Sequence, residues 1–249
     1  MSACPSESDS GLTAIVERLR HLAGAASDAS GHFPAMYAHV TAAVQQRVVD
    51  GAFDDPTRTA AFTRTFADLY LTAVEDRAGA AGCWQASWDV AGDRRLLIAQ
   101  HLVLGINAHV NYDLPQAVVA IADRTGSLAP LRRDFDAVND VLADAYGQVV
   151  RRLGRVSRWT STAAALGGGR LFHFSLRVAR DQAWGAAERL YVLDPPRRAE
   201  YLQELDRLVG VLALLVTRPP LPVRVLLPLA RRCEVRDPRR VTAALLAAT

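Results

Sequence analysis

Apolar side chains recur three and four residues apart along almost the whole chain, and strand-like alternation is weak throughout. This spacing, cut at intervals by Pro and Gly, constrains the fold more than any other feature. It predicts helices over 13–25, 35–50, 56–77, 83–90, 93–113, 115–124, 134–154, 171–191, 198–217 and 238–248. Pro56 falls at a first helical turn, where its missing N–H costs nothing. Pro115 ends or kinks the central helix. Gly167-Gly168-Gly169 reads as a flexible connection, because it lacks the preceding strand and the Gly-Lys-Ser/Thr of a phosphate loop. The prolines from Pro219 to Pro228 leave that stretch unassigned, and residues 1–10 read as a disordered polar tail. The expectation is an all-α chain, 1–249, forming one multi-helix bundle of about eight to ten helices with no internal repeat.

Half of the 249 residues are hydrophobic, enough for a substantial core. No apolar run reaches the roughly 18 residues that cross a bilayer, so no membrane span is expected. The start of the chain lacks a basic segment followed by an apolar one, and Cys4, Cys83 and Cys233 show neither metal spacing nor a disulfide framework. A reducing cytoplasm is the expected setting. All 29 basic residues are arginine, which with the many alanines suggests GC-rich coding, as in actinobacteria. The net charge is only +3 and no aromatic–basic ladder accompanies the arginine pairs, so no nucleic-acid partner is expected.

Chemistry concentrates in LGINAHVNYDLPQA, Leu104 to Ala117. On a helix turning about 100° per residue, His101, Gly105, His109 and Asp113 fall along one flank, with Tyr112 beside them. His109 and Asp113, four apart, can meet one ion; imidazole plus carboxylate suits a divalent metal such as zinc, iron or manganese. His101 lies about 12 Å along the axis from His109, too far to share that ion easily, and suits a second metal, a supporting contact or substrate. Gly105 opens space between the histidines for another helix or a ligand. Asn107 points away, as a link to a neighbouring helix, and Asn111 and Tyr112 complete the polar turn. The alternative stays open: a hydrogen-bonded structural network in which Asp113 pairs with an arginine or caps the next helix.

QHLVLGINAHVNYDLPQAV resembles the signature of an actinobacterial all-helical family of unknown function, matching at Gln100, His101, Gly105, Asn107, His109, Asn111 and Asp113. DFDAVNDVL at Asp134, Phe135 and Asn139, and FSLRVARDQAW at Ala179, Arg180 and Trp184, are similar to further stretches of that family. The resemblance implies a helical fold and no settled activity. A looser architectural likeness is to the zinc-dependent phospholipase C and S1/P1 nuclease group, whose helices present His and Asp to metals.

Other positions carry a bland reading beside a functional one. Asp134, Asn139 and Asp140 open a helix and favour its dipole, or one of Asp134 and Asn139 faces the central helix and supports a histidine there. Arg180 and Trp184 pack on each other, or Arg180 holds a carboxylate or phosphate. His173 completes a metal shell or none. Asp68 and Glu75 share a face; Trp84 and Trp88 belong to the core or line a pocket; His21 and His32 are read as surface residues. Gly-x-Ser-x-Gly is absent, and the aspartate-rich motif of a terpene cyclase is incomplete.

These readings converge on a metal-dependent enzyme acting on a small molecule, through ester or phosphoester hydrolysis or a tailoring step in secondary metabolism, with His101, His109, Asp113 and Arg180 as catalytic candidates. The alternatives are a metal-free cyclase or lyase in which His109 and Asp113 form an acid–base pair, and a non-catalytic helical binding protein. The oligomeric state is left open.

Overall fold

The structure, a computed structural model, describes residues 7–157 and 169–247, excepting the side chains of 7–10, 146, 169–174 and 222. The helices are α1 (Glu7–Ala25), α2 (His32–Val49), α3 (Pro56–Glu75), α4 (Gly82–Asp89), α5 (Ile98–Ala108), α6 (Leu114–Thr125), α7 (Ala129–Gly154), α8 (Gly169–Val192), α9 (Pro195–Thr217), α10 (Leu221–Arg232) and α11 (Pro238–Leu246). A π-helical turn, His109–Asp113, joins α5 to α6, so these form one continuous rod. With that rod counted once, the described residues form ten helical rods and no strand, in line with the expected all-α class. No helix among them is long and apolar enough to cross a membrane.

Local chemistry explains several boundaries. Asp55, Asp194 and Asp237 each precede a proline, and each carboxylate accepts a backbone N–H from the first turn of α3, α9 or α11. Each cap stabilises its helix by about 1 kcal/mol. Gly126, at φ +77°, closes α6 in the left-handed conformation that a side chain would resist.

Several boundaries differ from the sequence reading. α1 already begins at Glu7, inside the expected tail. α7 begins at Ala129, with Pro130 in its first turn, so Asp134 is not an N-terminal residue. α10 forms across the unassigned prolines: Pro222 is in its first turn, and Pro228 sits inside the helix.

The rod α5–π–α6 is apolar on nearly every side and therefore central. It touches α2, α3, α4, α8 and α9, while α1 lies along α2, and α11 bridges α2 and α7. One apolar cluster around Phe33, Tyr37, Tyr70 and Trp84 packs α1 to α4 against the rod. Another, around Leu114, Val118, Phe135 and Trp184, joins α6 to α7 and α8.

Candidate active site

Pro115 shapes the site. It cannot donate to the carbonyl of Asn111, and its ring crowds that carbonyl. The rod widens by one residue there: the N–H of Leu114 reaches back five residues to the carbonyl of His109. Gln116 Nε2 donates to the carbonyl of Tyr112 at 2.9 Å, satisfying a group on the widened turn. Such π turns recur at functional sites. This one carries His109 and Asp113 at its two ends.

The two side chains bond to each other. His109 Nδ1–H donates to Asp113 Oδ2 at 2.9 Å, and Trp84 Nε1–H donates to both carboxylate oxygens at 3.1 and 3.3 Å. Asp113 thus holds the imidazole by its Nδ1 edge. His109 and Asp113 are each 3% exposed. The imidazole stacks on Phe66 at 3.6 Å and meets the edge of Tyr37 at 4.5 Å. Burial in this aromatic box lowers the proton affinity of His109, and the Asp113 carboxylate pulls the other way. Burial raises Asp113, opposed by the hydrogen bonds from His109 and Trp84. The imidazole is therefore neutral at neutral pH, with its proton on Nδ1 and the lone pair on Nε2.

His109 Nε2 is buried and has no hydrogen-bond partner among the described residues, while the buried Tyr37 hydroxyl has the Thr41 hydroxyl beside it. Burial raises the Tyr37 hydroxyl well above its usual range, with Asp113 adding to it, so it keeps its proton. Unpaired buried polar atoms are costly and mark a place where a ligand or water bonds. Both residues line a mainly apolar cavity of about 190 Å³ between α2, α3, α5, α7 and α8, together with Phe66, Leu102, Val149 and Arg180. Neither polar atom is open to solvent. A molecule reaching Nε2 must displace the rings packed on it.

Arg180 reaches the same cavity from α8. Its Nε donates to Asn139 Oδ1 at 2.8 Å and its Nη2 to the carbonyl of Phe135 at 2.6 Å, and the guanidinium lies 4.2 Å from the centre of the Phe135 ring. All three partners are neutral. The cation is pulled down to about 10, first by burial, with Asp136 and Asp181 nearby partly restoring it.

The remaining candidates scatter. His101 faces another cavity, of about 170 Å³, lined by Asp28, His32, Asp93 and Arg231. There its ring meets His32 edge-on at 6.0 Å. His32, expected at the surface, is 3% exposed, because the chain enters α2 from a buried 3-10 turn. Asn107 Nδ2 donates to the carbonyl of Val209 at 2.9 Å and so ties the rod to α9, as its angle suggested. Asn111 bonds to Asn107, and Tyr112 is half-buried beside Asp206. Among the described residues Asp134 supports no histidine: it accepts the N–H groups of Asp54 and Asp55 and pairs with Arg58, holding the turn before α3. Trp184 bonds to Glu188 and packs on Phe135, with Arg132 over its ring. The side chain of His173 lies outside the described residues. Gly105 makes room for Phe33: a Cβ there would lie 2.5 Å from that ring. Among the described residues no group of three or more His, Cys, Asp and Glu side chains is placed to hold a metal ion.

Sequence reasoning missed Tyr37 and Phe66 as parts of the site and Trp84 as the partner of Asp113. Helical spacing places each on a buried face but is silent on which residue meets it across the core.

No curated protein and no solved structure matches the chain. A family model described as a family of unknown function (DUF5995) matches residues 12–219, a span that contains His109, Asp113, Trp84, Tyr37 and Arg180. That match covers most of the chain, which therefore belongs to this family of unknown function.

Proposed function

We propose that the protein is an enzyme that moves a proton on a small, largely apolar molecule bearing one anionic group. His109 Nε2 acts as the base or acid, Asp113 fixes the ring and tautomer, and the Tyr37 hydroxyl donates a hydrogen bond to developing negative charge. Arg180 draws the anionic end. The observation that carries this reading is the pairing in the dyad: Nδ1 is committed to Asp113, Nε2 is unpaired, and the imidazole and a cation with only neutral partners line one cavity. Elimination or cyclisation of a metabolite fits such a dry site. Ester or phosphoester hydrolysis on a divalent metal, in the manner of the zinc-dependent phospholipases and nucleases, would start from His109 Nε2 as a ligand, and the present geometry favours it less.

A second reading rests on the shielding of Nε2 by Phe66 and Tyr37: a binding protein that holds an apolar ligand and transforms nothing. Untargeted mass spectrometry of a metabolite extract incubated with purified protein separates the two. Turnover predicts compounds consumed by wild type and spared by His109→Gln, the rate falling roughly 10²- to 10⁴-fold. Compounds retained unchanged by both proteins support binding alone. An extract that neither protein alters or binds overturns both readings.

A further inference from the structure

Ten of the thirteen large apolar side chains that stand exposed among the described residues lie between Leu208 and Leu229, on the second half of α9 and on α10. On α9, Val209 and Ala213 turn inward while Leu208, Val211 and Leu215 face out. On α10, Leu221, Val225 and Leu229 follow at four-residue spacing, so they form one line along the helix, 65%, 71% and 63% exposed. No helix among the described residues packs closely along α10. Single exposed leucines are ordinary, whereas a contiguous set marks a surface that meets something.

Charge indicates what that is. From Leu208 to Arg232 the chain contains no acidic residue but carries Arg218, Arg224, Arg231 and Arg232. Arg231 is paired with Glu234. The other three enter no ion pair among the described residues. At about 100° per residue, Arg224 flanks the Leu221–Leu229 line and Arg232 closes its end. Leucine and valine in a row beside unpaired arginines match the two layers of an anionic lipid surface: acyl chains below, phosphates above. A second copy of this chain would set the same arginines against each other. No helix among the described residues is both long and apolar enough to span a bilayer, which fits a peripheral contact. α10 also lies beyond residue 219, where the family match stops.

We propose that the α9–α10 face docks on an anionic membrane surface, with Leu221, Val225, Leu226 and Leu229 at the headgroup–acyl boundary and Arg218, Arg224 and Arg232 on lipid phosphates. The test is co-sedimentation of the full chain with mixed phosphatidylglycerol–phosphatidylcholine vesicles and with pure phosphatidylcholine vesicles, alongside light scattering. The expected result is binding to the anionic vesicles alone, stronger at low salt. Arg224→Gln and Arg232→Gln should each weaken it roughly fivefold. Val225→Glu combined with Leu229→Glu should abolish it while leaving the circular dichroism melt unchanged, since both side chains are exposed. Failure to sediment with anionic vesicles at low salt overturns the proposal. So does equal binding to neutral vesicles, or a solution dimer that the double glutamate variant converts to monomer without any vesicle binding.

Discussion

His101 and His109 stand eight residues apart on one rod, yet their surroundings make them different groups. His109 is enclosed by Phe66, Tyr37, Tyr70 and Trp84, and one carboxylate holds its Nδ1. His101 faces His32 across a cavity that also holds Asp28, Asp93 and Arg231. Both imidazoles lose proton affinity chiefly through burial. What compensates differs: the Asp113 side chain for His109, and the backbone of Asp93 with more distant charges for His101. A dry wall with one committed partner orients a ring; a cavity of mixed charges tunes how readily its rings take up protons. The same residue type, on the same helix, is thus assigned its chemistry by what packs opposite.

The two histidines differ most in what Asp113 does for one of them. Asp113→Ala leaves Trp84 Nε1–H and His109 Nδ1–H buried without an acceptor, and should lower the unfolding free energy by about 1–3 kcal/mol for each donor, up to about 6 kcal/mol in urea denaturation. A loss below about 1 kcal/mol would mean that the dyad is solvated and that its contrast with the His101 cavity is false.

The next effect tests the other side. His32 has a folded pKa of about 4, lowered by burial and then by His101, against 6.5 for the free side chain. The unfolded chain therefore binds the extra proton first, and stability is full above pH 6.5 and falls as pH drops toward 4. The loss attributable to this one group is on the order of 3 kcal/mol. His101 faces it and shares its direction; Asp28 and the Pro238 carbonyl oppose the shift, whereas Arg231 reinforces it. His32→Phe should flatten the stability–pH curve over that window by this amount. An unchanged curve would show that the imidazole is solvated in the native state.

The smallest effect sharpens the boundary between the two regions. Gly105→Ala puts a Cβ against Phe33, which itself packs on His109. Displacing that ring should cost about 1–3 kcal/mol and lower the melting temperature. It should perturb the His109 NMR signals more than those of His101. Equal perturbation would show that the regions are coupled through Phe33.

Much of the architecture was legible because it is local. Period-3.6 patterning marks helices wherever the chain is read, and four-residue spacing alone brings His109 to Asp113. The prolines of α10 misled for a local reason too. They read as breakers, yet Pro222 stands in the first turn and Pro228 needs only one helical bond to be given up.

By itself the sequence determined the all-helical class, the apolar central helix, its irregularity at Pro115, and the His109–Asp113 pair just before it, since each depends on neighbours within about five residues. Only the tertiary structure decided that Trp84 rather than an arginine receives Asp113, that Phe33 fills the gap at Gly105, that His32 is buried against His101, and that Arg180 shares a cavity with His109. Those contacts join helices distant in sequence, and helical periodicity names the buried face of each one without naming the face it meets.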